Sequence, residues 1–528
     1  MPAQMLTAVP TATISNNTQT IGRNFVFMGL EVVITLVVTL LTTIFIARLI
    51  GPTRLGYFNL ILWLTTITCS IGSLGIPLST FKYLGEFLGG GKKELARAVF
   101  FYNLRIQTAI SCTVAALGMV AVFAVVSPEY RLCSTFLVLS MVPNMVAYVP
   151  SQANTAAESS ANNTRGALAR AIVYVVAVAL SLFYGWNLVG IAAGLLLACV
   201  TELAVKIIPV LRSMEYVPRI PVPPEIRKRM FAFSGLSTGL MLLQIVVWDR
   251  SDIIFLKLLQ PDIRQVAFFS VCFSVVGKLT LPAQALADAL SATQMAEYGR
   301  NKANLFKMTS QAFVYVMMGT LPVLVGLACI GGPLVRVLYG SQYLPAIPVF
   351  IVIALLSIPK AALTPGSTLL YSAEDLGFIL KWGCIAGFAN IALDIILIPH
   401  FNATGAAFAN GIAQTFAAGT ICWRVLKRYP VRVDYMVLLR LCAATLAMAI
   451  VVLCIMATPL SAVLKLIIAI PTGALTFLVM GRALTMLRKD DRHRLQMLST
   501  FVPMPARGSY NRLVDFLVPA TPLEEASR

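Results

Sequence analysis

The sequence predicts an all-α integral membrane protein of fourteen transmembrane helices: two pseudo-symmetric six-helix lobes plus two C-terminal helices. Three observations predict it. The composition is 58% hydrophobic and only 12% charged, with a mean hydropathy of +0.83, and uncharged apolar stretches of about 20 residues, enough to cross a bilayer core, recur throughout. The second half repeats the first. Asn187-Leu-Val-Gly190-Ile-Ala-Ala193 becomes, 215 positions on, Asn402-Ala-Thr-Gly405-Ala-Ala-Phe408, and Leu211-Arg212 falls on Leu426-Lys427 without a gap. Arg48, Pro52 and Arg54 find counterparts in Lys257, Pro261 and Arg264, and Gly91-Lys92 in Asn301-Lys302, at offsets of 209 or 210. The third observation is that the basic residues collect on one side of the spans.

In chain order the spans lie near 25–50, 57–80, 98–126, 132–153, 166–184, 188–210, 231–258, 266–290, 305–330, 344–371, 376–398, 404–425, 436–457 and 462–486. Pro77, Pro143, Pro282, Pro322 and Pro359 fall inside them and predict kinks, because neighbouring helices re-satisfy the freed carbonyls. The organisation expected is a cytoplasmic segment 1–21, a first lobe 22–211 (spans 1–6), a Pro/Arg-rich cytoplasmic linker 212–229, a second lobe 230–428 (spans 7–12), two additional spans in 429–487 and a cytoplasmic tail 488–528. Val217-Pro-Arg-Ile-Pro-Val-Pro-Pro224 makes the linker semi-rigid. Two similar apolar halves are the mark of a membrane transporter whose site lies at the repeat interface.

The net charge of +19 resembles a nucleic-acid footprint, but the placement of the charges reads as topology. With the N-terminus inside, 30 of the 41 Lys and Arg fall in inside segments, 7 in outside loops and 4 within spans. That split obeys the positive-inside rule, and moving the register by one span inverts it. Both termini are therefore expected in the cytoplasm, in a multi-pass protein of the cell (inner) membrane. The ten Cys are scattered singly with no C-x-x-C pair, and there are only two His, His400 and His493. A disulfide framework, a zinc site and a His metal cluster are not expected.

The Thr- and Asn-rich start lacks the basic residues of a cleavable signal, so the first span acts as its own insertion signal. Asn16-Asn17-Thr18 and Asn162-Asn163-Thr164 match the glycosylation pattern but face the cytoplasm in this topology. Segment 85–97, Gly-Glu-Phe-Leu-Gly-Gly-Gly-Lys-Lys-Glu-Leu-Ala-Arg, lacks P-loop spacing and a preceding strand; it reads as a flexible turn with a solvated charge run. The tail mixes basic residues with Leu495, Met497, Phe501 and Phe516, and reads either as a membrane-surface segment or as disordered chain.

Phe45-Ile-Ala-Arg-Leu-Ile-Gly-Pro-Thr-Arg-Leu-Gly-Tyr57, Gly72-Ser-Leu-Gly-Ile-Pro77 and Lys82-Tyr-Leu-Gly-Glu86 resemble the opening of the polysaccharide-repeat-unit flippases of the multidrug/oligosaccharidyl-lipid/polysaccharide (MOP) exporter superfamily. Asn390-Ile-Ala-Leu-Asp-Ile-Ile-Leu-Ile-Pro399 followed by Gly405-Ala-Ala407 resembles that family's junction between the eleventh and twelfth helices. The resemblance covers residues 20–487. It implies a V-shaped pair of six-helix bundles that moves a polyprenyl-diphosphate-linked oligosaccharide from the inner to the outer leaflet by alternating access, for polysaccharide biosynthesis. A carrier rather than an enzyme is expected, with no cofactor, and the one-sided placement of the basic residues leaves no nucleic-acid partner to expect. A polysaccharide polymerase or glycosyltransferases would be its partners beside the glycan and the bilayer.

The chemistry is expected in ionisable residues at membrane depth, each costing about 2.5–3.5 kcal/mol at a helix centre. Basic candidates are Arg105, Arg250, Lys278 and Lys360; acidic ones are Glu31, Asp249, Asp252, Asp288 and Asp394. In one reading the basic residues line a cavity and neutralise an anionic headgroup, Arg as a fork on phosphate oxygens and Lys as a mobile point charge. In the other they pair with the acids and hold the lobes together. Arg250 and Lys278 favour the first; Arg105 can snorkel to the surface, and Lys360 fits either. Asp249 and Asp252, at i and i+3, share a helix face and call for a proton or cation, which makes them, with Glu31, candidates for ion coupling.

Two alternatives share the fold: a peptidoglycan-precursor (lipid II) flippase, and a cation-coupled multidrug exporter, against which the intramembrane basic residues weigh. A membrane glycosyltransferase or polymerase would need a large outer loop or an acidic catalytic cluster, and every predicted outer loop is short.

Overall fold

The computed structural model describes residues 37–157, 159–248, 251–280, 302–373 and 375–486, and five positions between 508 and 515. Among the described residues there is helix and no strand. This is the form an apolar solvent imposes, since each span must close its backbone hydrogen bonds within itself. Among the described residues ten helices are long and apolar enough to cross a membrane, and a shorter apolar helix, Val37–Ile50, precedes them. Among the described residues, helix covers part of each of the fourteen predicted spans. Two compact units divide between Ser251 and Asp252.

The first unit comprises α1 (Val37–Ile50), α2 (Pro52–Gly72), α3 (Ile76–Gly89), α4 (Lys93–Val125), α5 (Pro128–Ala156), α6 (Ser160–Phe183), α7 (Asn187–Ser213) and α8 (Pro224–Trp248). Helices α5, α6 and α7 form its most intimately packed group. One apolar core joins Tyr83, Phe87, Phe100, Val149 and Met230 from α3, α4, α5 and α8. Another joins Cys69, Val138, Met141 and Met145 from α2 and α5.

Two expectations are corrected in this unit. The span predicted over 57–80 is broken. Ser73-Leu74-Gly75 turns between α2 and α3, with Leu74 and Gly75 at φ 47° and 66°, and Pro77 stands in the first turn of α3 instead of kinking a continuous helix. A proline there forfeits no hydrogen bond, because first-turn N–H groups have no partner in the helix. Gly75 is required twice over: its φ is positive, and a Cβ would clash with the Ser234 carbonyl of α8. The second correction concerns Arg97, read as a solvated charge. It is only 7% exposed and donates to the carbonyls of Met214, Glu215 and Val217. It thereby caps the C-terminus of α7, where the final carbonyls lack helical donors.

The second unit comprises α9 (Asp252–Leu259), α10 (Arg264–Leu279), α11 (Lys302–Tyr339), a 3₁₀ turn (Ser341–Ala346), α12 (Ile347–Leu356), α13 (Ile358–Ser372), α14 (Leu376–Arg428), α15 (Tyr435–Met456) and α16 (Ala462–Ala483). Helices α15 and α16 pack on each other and on α11. Pro322 lies inside α11 and Pro143 inside α5, as expected of kinking prolines. Pro359 instead opens α13 after a turn at Ser357, and Pro282 lies outside the described residues.

The 53-residue α14 contains the two spans predicted at 376–398 and 404–425, which meet at Asn402 (φ 54°, ψ −135°) with no intervening loop. Asn187, which the sequence repeat aligns with Asn402, also has a positive φ of 47°. The aligned glycines behave alike. A Cβ on Gly405 would strike the Leu397 carbonyl, and one on Gly190 the side chain of Ser181. The repeated Asn-x-x-Gly is thus a repeated tight turn.

Candidate functional site

Asp252 opens α9 and is fully buried. The Asn390 and Asn410 side chains each donate from Nδ2 to one of its oxygens, at 3.3 and 3.0 Å. In turn, Gln414 Nε2 donates to Asn410 Oδ1 at 2.9 Å. In a straight helix Asn390 and Asn410 would stand about 30 Å apart at 1.5 Å per residue. Both reach Asp252, so the two halves of α14 fold back on each other about Asn402. Asn390 and Asp394 share one helix face, as do Asn410 and Gln414, each pair at i,i+4.

Asp394 is also fully buried and close enough to Asp252 to feel its charge. Neither Asp394 oxygen accepts a hydrogen bond among the described residues, nor does Asn390 Oδ1. An ionised buried carboxylate without partners is costly. Two carboxylates and an amide oxygen in one dry place are the donor set of a proton or a small hard cation.

A cavity of about 200 Å³ adjoins this cluster, lined by Asn410 and Gln414 together with Lys360, Ser357, Thr320 and Thr280. Lys360 is therefore a cavity residue, half-buried on α13. Lys278 is half-buried in the last turn of α10, next in sequence to the cavity residue Gly277 but not itself in the cavity wall. Arg105 is exposed on α4. Glu31, Asp249, Arg250 and Asp288 lie outside the described residues. The carboxylate that the described residues bring to Asp252 is Asp394, an acidic candidate that the sequence reading did not pair with Asp252.

A second polar site lies in the first unit. Glu202 on α7 bridges two cations, accepting from Arg170 Nη1 at 2.7 Å and from Lys206 Nζ at 2.8 Å. Arg170 Nη1 also reaches Asn144 Oδ1 at 3.4 Å. Glu202 and Lys206 are buried, whereas the Arg170 side chain is 37% exposed and borders a pocket of about 470 Å³ walled by α1, α2, α5, α6 and α7. The sequence reading counted Arg170 and Lys206 among the 30 inside charges and did not pair them with Glu202. The available signal was the pair Glu202/Lys206, opposite charges at i,i+4 inside an otherwise apolar span.

A family model described as "Polysaccharide biosynthesis protein" matches residues 45–348. The chain belongs to this family. A search of curated proteins gives no match. Among solved structures, the lipid II flippase MurJ in an inward closed conformation is similar at a TM-score of 0.68 and 15% identity, over 87% of this chain and 98% of that one. An inward-facing multidrug resistance MATE family transporter of the MOP superfamily is similar at 0.61 and 15%, over 76% and 98%. A MOP superfamily transporter from Pyrococcus furiosus, described as having a binding pocket of reverse polarity, is similar at 0.55 and 15%, over 77% and 95%. The polysaccharide biosynthesis family member thus has the fold of the MOP transporters, as its sequence motifs implied.

Proposed function

We propose that this protein flips a polyprenyl-diphosphate-linked oligosaccharide from the inner to the outer leaflet of the cell membrane by alternating access, in polysaccharide biosynthesis. The observation that carries this reading is the combination of a polysaccharide biosynthesis family match over residues 45–348 with the fold of a lipid-linked precursor flippase. Two six-helix lobes, 22–211 and 230–428, would rock about the linker 212–229, with both termini in the cytoplasm. Arg250 and Lys278, assisted by Lys360, would neutralise the diphosphate as it crosses the low-dielectric midplane. A multidrug exporter of cationic compounds fits less well, because Arg170 and Lys360 present positive charge to the two cavities.

The Asp252–Asp394 cluster would supply coupling. A carrier gains direction from an ion only if the ion binds its two states with different affinity, and a carboxylate pair shared between α9 and the hairpin of α14 changes whenever those elements shift. Reconstituted vesicles holding a lipid-linked oligosaccharide test both parts. Wild-type protein should expose the glycan outside, Arg250→Gln and Lys278→Gln should slow it at least about tenfold, a barrier change of 1.4 kcal/mol, and Asp252→Asn/Asp394→Asn should erase the response to an imposed pH or sodium gradient. Absence of any glycan flipping by wild-type protein defeats the flippase reading. An unchanged gradient response in the double variant removes the ion site alone.

A further inference from the structure

The second unit carries a pocket that the transport reading leaves unused. It holds about 550 Å³ and lies where α11, α15 and the chain just after α16 meet, within the roughly 300–1,000 Å³ of small-molecule sites. Its level in the bilayer follows from the spans. Phe306 and Val437 stand where two of them begin and Met486 where a third ends, so the pocket opens at one membrane boundary. This is a basic end of the unit: Lys302, Lys307, Arg432 and Arg482 are all exposed there.

The wall has two characters. Val314, Val437 and Met486 belong to the apolar core that joins α11, α15 and α16, and they give the pocket a buried hydrocarbon floor. Lys307 and Arg432 line the same space from exposed positions, which puts an ammonium and a guanidinium at its rim. The wall's carboxylate, Asp434, accepts from Val437 N at 3.2 Å and caps the start of α15.

The internal repeat explains why the space is open. The buried Ala96, Phe100 and Gln107 of α4 recur 209 positions on at the buried Leu305, Thr309 and Val316 of α11, which sets Phe306 in the place of Arg97. Arg97 donates to the carbonyls of the connector that follows α7. A phenyl ring has no donor to give. The connector after α14 takes a hydrogen bond from Ser310 Oγ instead, on the Arg432 carbonyl. Helix α15 and the end of α16, which have no counterpart in the first half, supply the remaining wall.

We propose that this pocket holds an anionic phospholipid, with its phosphate on Lys307 and Arg432 and the start of its acyl chain on the Val314, Val437 and Met486 floor. Cations above a hydrocarbon floor at a membrane boundary match a ligand whose anion and hydrocarbon are one molecule, which a soluble phosphate is not. Arg can fork onto the phosphate oxygens while Lys follows as a point charge. A zwitterionic headgroup offers the same phosphate but brings its own ammonium against two basic side chains. The site goes beyond the transport reading and stands without it: it makes the additional helix pair a lipid-binding element of the second unit.

The test is lipid binding, which needs no transport. Purified full-length protein in detergent is followed by native mass spectrometry with phosphatidylglycerol, with phosphatidylcholine of the same chains and with glycerol 3-phosphate. One phosphatidylglycerol should be held at least about tenfold more tightly than phosphatidylcholine, and glycerol 3-phosphate should not displace it. Lys307→Gln/Arg432→Gln should bring the ratio to about one. Arg227→Gln/Lys228→Gln removes the same charge from exposed positions of the 212–229 linker and should leave the ratio as it was. Tyr315→benzoylphenylalanine, with both cations in place, should photo-crosslink phosphatidylglycerol from the pocket wall, and it carries the test if the charge variant does not give monodisperse protein.

Equal affinity for the two lipids, or a preference that survives Lys307→Gln/Arg432→Gln, overturns the proposal. A preference lost equally in the linker variant means diffuse attraction to net charge and overturns the site. Displacement by glycerol 3-phosphate makes it a soluble-phosphate site. Crosslinks from position 315 to residues 488–528, with none to lipid, make the chain's own tail the occupant; either result also defeats the lipid assignment.

Discussion

Lys206 occupies its position because residue 166 lacks a side chain. A Cβ on Gly166 would stand 2.7 Å from the Lys206 Cγ, and the space it vacates lets the lysine stem pass to Glu202. One carboxylate then joins both cations. Glu202→Leu removes the carboxylate that accepts from both Arg170 and Lys206, and breaking a buried pair from one side costs about 3–5 kcal/mol. Thermal unfolding in detergent should show that loss, with Glu202→Asp intermediate because its carboxylate is one methylene short. A melting temperature unmoved by Glu202→Leu would mean that water already solvates the site. Pairing of Glu202 with Lys206 was legible in the sequence as an i,i+4 pattern. The engagement of Arg170 by the same carboxylate was not, since it joins residues 32 positions apart on separate helices.

At the scale of elements, what the sequence concealed were its breaks. Hydropathy reads straight through Ser73–Gly75 and Ser357, because a three-residue turn scarcely alters a twenty-residue average, so Pro77 and Pro359 pass for kinks when they are helix starts. The turn at Asn402 was legible because it occurs twice. Asn187 and Asn402 both take positive φ, a region that asparagine enters more readily than most residues, and Gly190 and Gly405 both sit where a methyl group does not fit. Gly405→Ala drives a Cβ into the Leu397 carbonyl, which no rotamer relieves. It should cost about 3 kcal/mol or more and reduce membrane-inserted protein. Gly419→Ala, on the same helix with open space around it, should not. Equal yields of the two variants would show that the turn relaxes.

For the whole molecule, fold class was legible because a bilayer leaves few options: apolar runs of spanning length must be helices. The polar cluster at Asp252 was not, because Asp252 meets Asn390 and Asn410 across 138 and 158 positions and no local pattern announces such a meeting. In protein stripped of its ten native cysteines, an impermeant thiol reagent applied to intact cells should label a His400→Cys variant and spare Pro221→Cys; the reverse result would turn the chain over in the membrane.

The loopless turn at Asn402 also bears on how the chain is made. Each half of α14 is a poor candidate for insertion alone: one carries Asn390 and Asp394, the other Asn410 and Gln414, and a single aspartate at a helix centre opposes insertion by about 2.5–3.5 kcal/mol. With nothing between them, the halves leave the ribosome as a hairpin and can enter the bilayer as one body. Their polar faces are then turned toward each other before either meets lipid. The residues assigned to ion coupling in the finished carrier would be sheltered from the first moment of its biogenesis by the same turn that later holds them together.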